Sequence, residues 1–381
     1  MIAGGLFMSS CPFCGNLDTR YFAIGSRGEY CRKCVMFVSN ISGIEGKLDW
    51  NCGDEQYRLD YPLTIYQQEV SDQIREKVLL SDVLVDAVCG AGKTELVLGA
   101  IEDALIARKK VGWAIPRRQV VLELKERLAA IFSSLDVVAV CQGHTDKTDG
   151  DLILCTTHQL YRYREWFDLL ILDEPDAFPY KGNDMLANFA RNSCRGKMIY
   201  LTATPDEKMI CKVDTGSMAL VKLNARPHGH PVIVPKMKLM PSFVCYFFLV
   251  SKIKDARRWI IFVPTRKIAR LLSWFLQTDY LTSQSERKEE IIERFRSKEK
   301  RIMVATTILE RGVTFEDINV MVLFADHPVF DTASLIQISG RVGRSFAFPK
   351  GECIFLSRSK TLAAIRCLKK IEEANRSVFG V

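Results

Sequence analysis

VLVDAVCGAGKTELVLGA, residues 83–100, is the stretch that decides the fold. An apolar run typical of a buried strand ends in a glycine-rich turn, and a helical pattern follows the turn. A phosphate-binding loop has this setting and the form Gly-x4-Gly-Lys-[Ser/Thr], because successive backbone amides then wrap the phosphates. Ala87 stands at the position of the first glycine. The predicted nucleotide-binding residues are Gly90, Ala91 and Gly92, with Lys93 for the β- and γ-phosphates and Thr94 for Mg²⁺.

Short apolar runs alternate with amphipathic helical patterns on both sides of this stretch. Strand followed by helix, repeated, predicts a parallel sheet covered by helices on both faces. The predicted strands of the first series lie at residues 83–88, 111–115, 137–140, 151–156, 168–173 and 198–203. Those of a second series lie at residues 258–263, 301–306, 320–324 and 352–356. The predicted fold class is α/β, with two parallel-sheet domains in tandem.

A proline-rich segment separates the two series. Residues 224–241 contain four prolines and no helical period, as expected of an interdomain linker. Two α/β halves joined in this way suit a ligand that binds in the cleft between them and changes their angle. The predicted segments are a zinc-binding module at 1–45, a first domain at 46–225, a linker at 226–241 and a second domain at 242–381.

Two further motifs carry the groups that nucleotide hydrolysis needs. LLILDEPD, residues 169–176, ends an apolar strand in carboxylates, which predicts Asp173 as a magnesium ligand and Glu174 as the group that activates water. QISGRVGR, residues 337–344, sets two arginines beside glycines. A solvated basic turn accounts for the charge but not for the paired glycines. Because guanidinium forks match phosphate oxygens, we predict Arg341 and Arg344 as arginine fingers on the γ-phosphate.

The N-terminal stretch CPFCGNLDTRYFAIGSRGEYCRKC, residues 11–34, holds two Cys-x-x-Cys pairs. A redox centre has one such pair in a thioredoxin-like unit, and neither pair has that setting. Disulfides are not expected in a reducing cytosol. The spacing instead matches a closed structural zinc site, in which the metal supplies the folding energy of a short segment. The predicted zinc ligands are Cys11, Cys14, Cys31 and Cys34.

The composition is that of a globular protein, with 48% hydrophobic and 26% charged residues. A formal net charge of +8 favours a polyanionic partner, although a solvated basic surface explains it equally well. The longest apolar run, residues 243–250, is far shorter than the roughly 18–20 residues of a membrane span. Most of the thirteen cysteines stand singly inside apolar runs. We therefore expect a cytoplasmic protein, at most peripheral to the inner face of the membrane.

The ordered motifs resemble those of superfamily 2 helicase-type ATPases, which consist of two RecA-like domains. AVCGAGKT resembles that superfamily's Ala-x-x-Gly-x-Gly-Lys-Thr phosphate loop, which accommodates Ala87. DEPD resembles the DExD box, and TAT at 202–204 resembles the motif that couples it to the nucleic acid. LTIYQQ at 63–68 resembles the glutamine motif, which implies that Gln67 recognises adenine.

The motifs of the second half resemble those of the second RecA-like domain. FVPTRK begins at residue 262, and TTILERGVTF and QISGRVGR follow in the expected order. The resemblance implies that Gly312 and Gln337 contribute to the nucleotide site. Hydroxyls and arginines at strand ends bind phosphate oxygens without reading bases. The candidate nucleic-acid contacts of both halves are Arg117, Arg118, Thr157, Thr265 and Thr306.

Within the superfamily, FDLLILDEPDAFPY, LERGVTFEDINV and the four N-terminal cysteines resemble the ComFA family. This family comprises late competence ATPases that draw single-stranded DNA into Gram-positive bacteria. The resemblance implies ATP, Mg²⁺ and Zn²⁺ as cofactors and single-stranded DNA as partner, with DNA-stimulated hydrolysis. It also implies contacts with other late competence proteins: a ComFC-like protein, a DNA-processing protein and the membrane DNA channel.

Three alternatives remain. A primosomal replication-restart-type helicase has similar motifs, but it carries its cysteines within its second half. An ATP-gated clamp would bind nucleic acid without moving along it. RNA is disfavoured as the substrate only by the family resemblance.

Overall fold

A computed structural model describes residues 10–26, 28–38, 57–310 and 315–380. By its internal contacts the chain divides into two compact units. The first unit comprises residues 1–86 and 94–221, and the second comprises residues 87–93 and 222–381. Each unit is built around one parallel sheet, which confirms the predicted fold class.

The first unit begins with a small antiparallel hairpin. Strands β1 (Phe22–Gly25) and β2 (Gly28–Cys31) pair from Phe22 opposite Cys31 to Gly25 opposite Gly28. A single helical turn, α1 (Val35–Val38), follows. The hairpin and this turn surround the predicted zinc ligands, which are all buried.

The larger sheet of the first unit has the strand order β5-β6-β4-β7-β8-β3-β9. Its elements, in chain order, are α2 (Ile65–Val78), β3 (Asp82–Ala87), α3 (Lys93–Leu96), α4 (Leu98–Ile106), β4 (Val111–Ile115), α5 (Arg118–Ile131), β5 (Val137–Val140), β6 (Leu152–Thr156), a 3₁₀ segment (Thr157–Arg162), β7 (Phe167–Asp173), α6 (Asp184–Ser193), β8 (Cys194–Thr202), α7 (Glu207–Asp214) and β9 (Met218–Leu223). Strands β4 and β6 are buried at every position, as expected when helices cover both faces.

The second unit has a six-stranded sheet with the order β10-β15-β14-β11-β13-β12, and all neighbouring pairs are parallel. Its elements are β10 (Lys236–Leu239), α8 (Ser242–Lys252), β11 (Trp259–Phe262), α9 (Arg266–Leu276), β12 (Asp279–Leu281), α10 (Lys288–Arg296), β13 (Ile302–Ala305), a 3₁₀ segment (Thr307–Glu310), β14 (Asn319–Leu323), α11 (Thr332–Ser339), β15 (Cys353–Ser357) and α12 (Leu362–Phe379). In the described ranges, no helix combines the length and the hydropathy needed to cross a bilayer.

All ten predicted strands are present, with ends that differ by a few residues. The structure differs from the predicted boundaries in the proline-rich segment. Residues 236–239 form β10, which pairs with β15 from Lys236 opposite Ile354, so the second sheet begins inside the predicted linker. Contacts also place the predicted zinc module within the first unit and residues 87–93 within the second.

Candidate active site and metal centre

The glycine-rich turn has the backbone that a phosphate-binding loop needs. Strand β3 ends at Ala87 and α3 begins at Lys93. Gly90 and Gly92 have φ angles of +84° and +80°, a region that glycine enters without steric cost. A Cβ atom on Gly90 would also lie only 3.3 Å from Cγ of Arg344. The backbone angle therefore favours glycine at Gly90, and the approach of Arg344 leaves little room for a side chain there.

The DEPD carboxylates begin at the carboxyl end of β7, beside the end of β8. Asp173 is the last residue of β7 and lies in register with Leu201. Glu174 has a φ angle of +52°, which side-chain-bearing residues seldom adopt, and its amide donates to the Leu201 carbonyl at 2.9 Å. Such backbone positions concentrate at functional sites, where the surroundings impose them. Strand β3 pairs with β8 up to Asp86, so the phosphate-loop strand ends at the same edge of this sheet.

Asp176 connects the DEPD segment to the TAT motif through buried hydrogen bonds. The carboxylate residue is 3% exposed. Thr202 Oγ1 donates to one carboxylate oxygen at 2.5 Å, and Thr204 Oγ1 donates to the other at 2.6 Å. The Thr204 amide donates to Thr202 Oγ1 at 2.9 Å. Hydroxyl–carboxylate bonds of this length are the strong, charge-assisted kind. The network is the physical connection that a coupling role for Thr202 and Thr204 requires.

Gln67 takes part in capping the N-terminus of α2. Its Oε1 accepts hydrogen bonds from the backbone N and the hydroxyl of Thr64, each at 3.1 Å. The Gln67 amide donates in return to Thr64 Oγ1 at 3.3 Å. This is a capping box, which satisfies backbone donors that the helix itself leaves open. The Thr-x-x-Gln spacing of the motif thus has a structural role, and the contact of Gln67 with adenine stays a prediction.

A polar cluster that the sequence motifs did not predict lies beside the phosphate-loop helix. Glu95 in α3 is buried and accepts a hydrogen bond from Tyr61 Oη at 2.8 Å. The Arg127 guanidinium forms an ion pair with the same carboxylate. Burial, together with the carboxylate, raises the pKa of Tyr61. The cluster connects α3 to α5 and to the segment before the glutamine motif, and its signal in the sequence is the charged Glu95 directly after Lys93 and Thr94.

In the second unit, the loop after α11 lies against the phosphate-loop segment that clusters with this unit. A Cβ atom on Gly340 would lie 2.2 Å from Cβ of Cys89, so only glycine fits there. Cys89 Sγ donates to Gln337 Oε1 at 3.3 Å. Arg341 is buried, whereas Arg344 is exposed. The structure therefore brings Gln337 and Arg344 close to residues 89 and 90.

The candidate nucleic-acid contacts of the first unit have three different environments. Arg117 is the N-cap residue of α5. Arg118 is exposed, and its Nε donates to the Gln142 carbonyl at 2.8 Å. Thr157 is buried, and no hydrogen bond to its hydroxyl is formed by the residues that the structure describes. Arg118 therefore presents its guanidinium at the surface, whereas Thr157 would need the strand end to open.

The candidate contacts of the second unit have local structural roles as well. Thr265 caps α9, where its Oγ1 accepts a hydrogen bond from the Ile268 amide at 3.2 Å. Thr306 follows β13, and its amide donates to the Leu281 carbonyl at 3.1 Å. Gly312 lies outside the described residues. Binding of DNA by these residues remains a prediction.

The four N-terminal cysteines lie together in one cluster that could hold a metal ion, as their spacing predicts. Their Sγ atoms all lie within 4.8 Å of one another, and all four residues are buried. Two Sγ···Sγ distances are 3.6 Å for Cys11 and Cys34, and 3.7 Å for Cys14 and Cys31. A zinc–sulfur bond of about 2.3 Å gives tetrahedral edges of about 3.8 Å, so the thiols fit Zn²⁺. Burial raises the pKa of Cys14 to about 11 and that of Cys34 further, so a bound cation would have to displace thiol protons.

Asparagine side chains of α6 bind the backbone around the first cysteine pair. Asn188 Nδ2 donates to the Cys14 carbonyl at 3.1 Å. Asn192 Nδ2 donates to the carbonyls of Pro12 and Phe13 at 2.8 and 3.0 Å. These bonds fix the zinc-binding loop on the first unit.

Aromatic packing joins the other end of the cysteine segment to the same unit. The ring of Phe37 lies 5.3 Å from that of Tyr161 and 5.7 Å from that of Phe189, measured between centroids. Tyr161 belongs to the 3₁₀ segment that starts at Thr157, and Phe189 belongs to α6. The cysteine cluster therefore packs on two elements of the first unit.

Comparison with known proteins agrees with this architecture. Residues 60–207 match the family described as type III restriction enzyme, res subunit, and residues 239–346 match the helicase conserved C-terminal domain. The fold is similar to that of S. cerevisiae Dbp5 bound to RNA and ADP BeF3, with a TM-score of 0.58, 16% identity and coverage of 82% of this chain and 91% of that one. RecG bound to a three-way DNA junction gives a TM-score of 0.58 at 19% identity, covering 84% of this chain and 47% of that one.

Two relatives align with almost the whole chain. Competence protein ComFA of Bacillus subtilis (strain 168) is 33% identical over 96% of this chain and 85% of that protein. Competence protein ComFA of Streptococcus pneumoniae (strain ATCC BAA-255 / R6) is 34% identical over 96% of this chain and 90% of that protein. The chain belongs to the ComFA family, and it is an ATP-hydrolysing enzyme of the superfamily 2 helicase type.

Proposed function

We propose that this protein is an ATP-driven translocase that moves along single-stranded DNA and draws transforming DNA into the cytosol during natural competence. The observation that carries the proposal is the similarity to two competence proteins over 96% of the chain. Because 96% of the chain is covered, the similarity reaches into the cysteine segment, which generic helicase domains do not require. The basic balance of +8 suits a polyanionic substrate.

In this proposal the phosphate loop holds ATP. Lys93 contacts the β- and γ-phosphates, while Thr94 and Asp173 hold Mg²⁺, which neutralises charge on the phosphates when bound. Glu174 orients the attacking water, and its constrained backbone favours one position of the carboxylate. Arg341 and Arg344 stabilise the charge that develops on the γ-phosphate.

The Asp176 network would report the state of the nucleotide to the DNA-binding residues. A change at the DEPD segment displaces Asp176, and Asp176 is hydrogen-bonded to both threonines of the TAT motif. Hydroxyls and arginines at strand ends would hold the DNA backbone in one nucleotide state and release it in the other. Because these groups contact phosphates rather than bases, movement would be independent of sequence.

We place this activity in the cytosol, at the inner end of the uptake pathway. The proposed partners are other late competence proteins: a ComFC-like protein, a DNA-processing protein and the membrane DNA channel. Zn²⁺ would be held by the four N-terminal thiolates and would have a structural role, because four protein ligands leave no open coordination position.

The first test compares ATP hydrolysis with single-stranded DNA, duplex DNA, RNA and no nucleic acid. We expect the largest stimulation with single-stranded DNA, and none in Glu174→Gln, which should still bind ATP. Equal rates with all four conditions would contradict a DNA-driven motor. Stimulation by RNA alone would assign a different substrate.

A second test separates a motor from a clamp. Streptavidin displacement from biotinylated single strands, labelled at either end, should depend on ATP and favour one end. Tight ATP-dependent binding without displacement from either end would instead favour the clamp. The Glu174→Gln variant is the matched control, since it should bind DNA and displace nothing.

A further inference from the structure

Arg226 is a buried arginine at the start of the proline-rich segment. It is 2% exposed, and its guanidinium points into the loop that follows α11. Nη1 donates to the carbonyls of Val342 and Gly343 at 2.8 and 2.7 Å, and Nη2 donates to the carbonyl of Gly340 at 2.9 Å. The guanidinium thus donates hydrogen bonds to three of the four consecutive carbonyls of residues 340–343.

The Nε atom of Arg226 contacts the phosphate-loop segment, residues 87–93, which belongs to the same unit. Nε donates to the Cys89 carbonyl at 2.9 Å. A Cβ atom on Gly90 would lie 3.4 Å from this Nε and 3.3 Å from Cγ of Arg344. One guanidinium therefore connects the backbone of residues 340–343, the loop that carries Arg341, to the backbone of the phosphate loop.

The partners of Arg226 are unusual for a buried charge. Buried arginines ordinarily pair with a carboxylate, and none of the described acidic residues forms an ion pair with this one. Burial lowers the pKa of Arg226 to about 10, and the side chain therefore stays charged near neutral pH. Carbonyl dipoles alone compensate the charge. Such a cation stabilises one backbone geometry, because the carbonyls must all turn toward it.

The carbonyls that accept hydrogen bonds from Arg226 lie next to the two predicted arginine fingers in the chain. Arg341 lies between Gly340 and Val342, and Arg344 directly follows Gly343. His228, two residues after Arg226, also approaches the Gly343 carbonyl, with Nε2 at 3.0 Å. The proline-rich segment therefore fixes the backbone on both sides of Arg341 and immediately before Arg344.

We propose that Arg226 is a positioning residue for ATP hydrolysis. It sets the backbone from which Arg341 and Arg344 extend and holds that backbone against the phosphate loop, so it acts through the fingers and not on the phosphate. This inference rests on the proposed role of Arg341 and Arg344. A displacement of about 1 Å at such a group costs about a hundredfold in rate.

The test uses the full-length protein and single-stranded-DNA-stimulated ATP hydrolysis. Arg226→Met removes the donors but keeps an apolar stem of similar length. We expect kcat to fall about ten- to a hundredfold, with KM for ATP changed less than about threefold, because ground-state binding by the phosphate loop persists. Arg226→Lys should give an intermediate kcat, since an ammonium group cannot reach the same set of carbonyls.

The matched control is Arg258, another buried arginine of this unit that donates to carbonyls. It is 8% exposed, donates to the Glu316 carbonyl at 2.8 Å and to the Phe295 carbonyl, and burial lowers its pKa as well. Arg258→Met should lower thermal stability without a comparable loss of kcat. Equal losses of kcat in Arg226→Met and Arg258→Met would mean that Arg226 only stabilises the fold, and the inference would be wrong.

Variants that lack the fingers test whether Arg226 affects kcat through Arg341 and Arg344. Arg226→Met added to a variant that already carries Arg341→Ala and Arg344→Ala should lower kcat no further, because no finger remains to be positioned. Losses that multiply would overturn the inference while leaving the fingers in place. If Arg341→Ala and Arg344→Ala both keep wild-type kcat, the proposed finger roles are wrong, and the inference fails with them. Wild-type kcat in Arg226→Met alone refutes only the inference.

Discussion

Removing one hydroxyl at a time from the Asp176 network gives a graded prediction. Thr204→Val deletes one hydroxyl–carboxylate bond, the 2.6 Å contact to Asp176. Hydrogen bonds to charged groups contribute about 1.5–3 kcal/mol each. Thr202→Val deletes a bond of the same kind and also the acceptor of the Thr204 amide. That second bond contributes about 0.5–1.5 kcal/mol, so Thr202→Val should cost about 2–4.5 kcal/mol of unfolding free energy.

Hydrogen exchange of the β8 amides, followed by mass spectrometry, measures this loss where it occurs. Valine has the shape of threonine, so packing is retained in both variants. Thr202→Ser keeps the hydroxyl and serves as the control, with protection close to that of the wild type. A loss in Thr202→Ser as large as that in Thr202→Val would refute the hydrogen-bond explanation. So would a larger loss in Thr204→Val than in Thr202→Val.

The same variants test whether the network couples hydrolysis to DNA. Both valine variants should lose more of the DNA-stimulated ATPase rate than of the basal rate, because the phosphate loop is untouched. The measured quantity is the ratio of the two rates. If protection falls while this ratio is unchanged, the network supports the fold but carries no signal.

Three further predictions concern the nucleotide and the metal. Lys93→Ala should lower ATP turnover at least about a hundredfold while circular dichroism stays unchanged, and wild-type turnover would disprove the phosphate-loop assignment. Cys31→Ser should lower the zinc content measured by atomic emission, and full zinc occupancy would mean that the metal lies elsewhere. Asn192→Ala should leave the zinc content unchanged but speed proteolysis of residues 10–38, since it deletes two bonds to the zinc-binding loop. Equal proteolysis rates would show that the Asn188 bond and the aromatic contacts hold the segment without Asn192.

The sequence predicted the strands that are buried on both faces, because such strands are continuous apolar runs. β4 and β5 match the predicted residues at both ends. It missed β9, and it missed β10 and β12 at the edges of the second sheet. β10 reads KMKL and is mostly exposed, while β12 has three residues, so neither produces a hydrophobic run. Edge strands are held by a neighbour's backbone, and sequence patterns carry little information about such a partner.

At the candidate site too, features with a characteristic residue pattern were predictable, and features held by backbone contacts were not. The spacing of glycines, lysine and carboxylates identified the ends of β3 and β7, because the chemistry itself demands those residue types there. The role of Arg226 was not predictable, since its four acceptors are backbone carbonyls that have no residue signature. They also lie more than 100 residues away in sequence, with separations from 114 to 137. Long-range side-chain–backbone contacts of this kind become visible only in the folded chain.

The cysteine segment shows how a motif can be identified correctly while its consequence is missed. The spacing predicted a closed zinc site in a short segment but not its neighbours, and α6 and the 3₁₀ segment that begins at Thr157 provide its packing surface. Asn188 and Asn192 lie one turn apart on α6, and both reach backbone carbonyls beside the first cysteine pair. A metal that organises those carbonyls therefore also orders α6, the helix that leads from the DEPD segment into β8. Loss of zinc should for this reason disturb the first unit around α6 and β8 and not only its N-terminal segment.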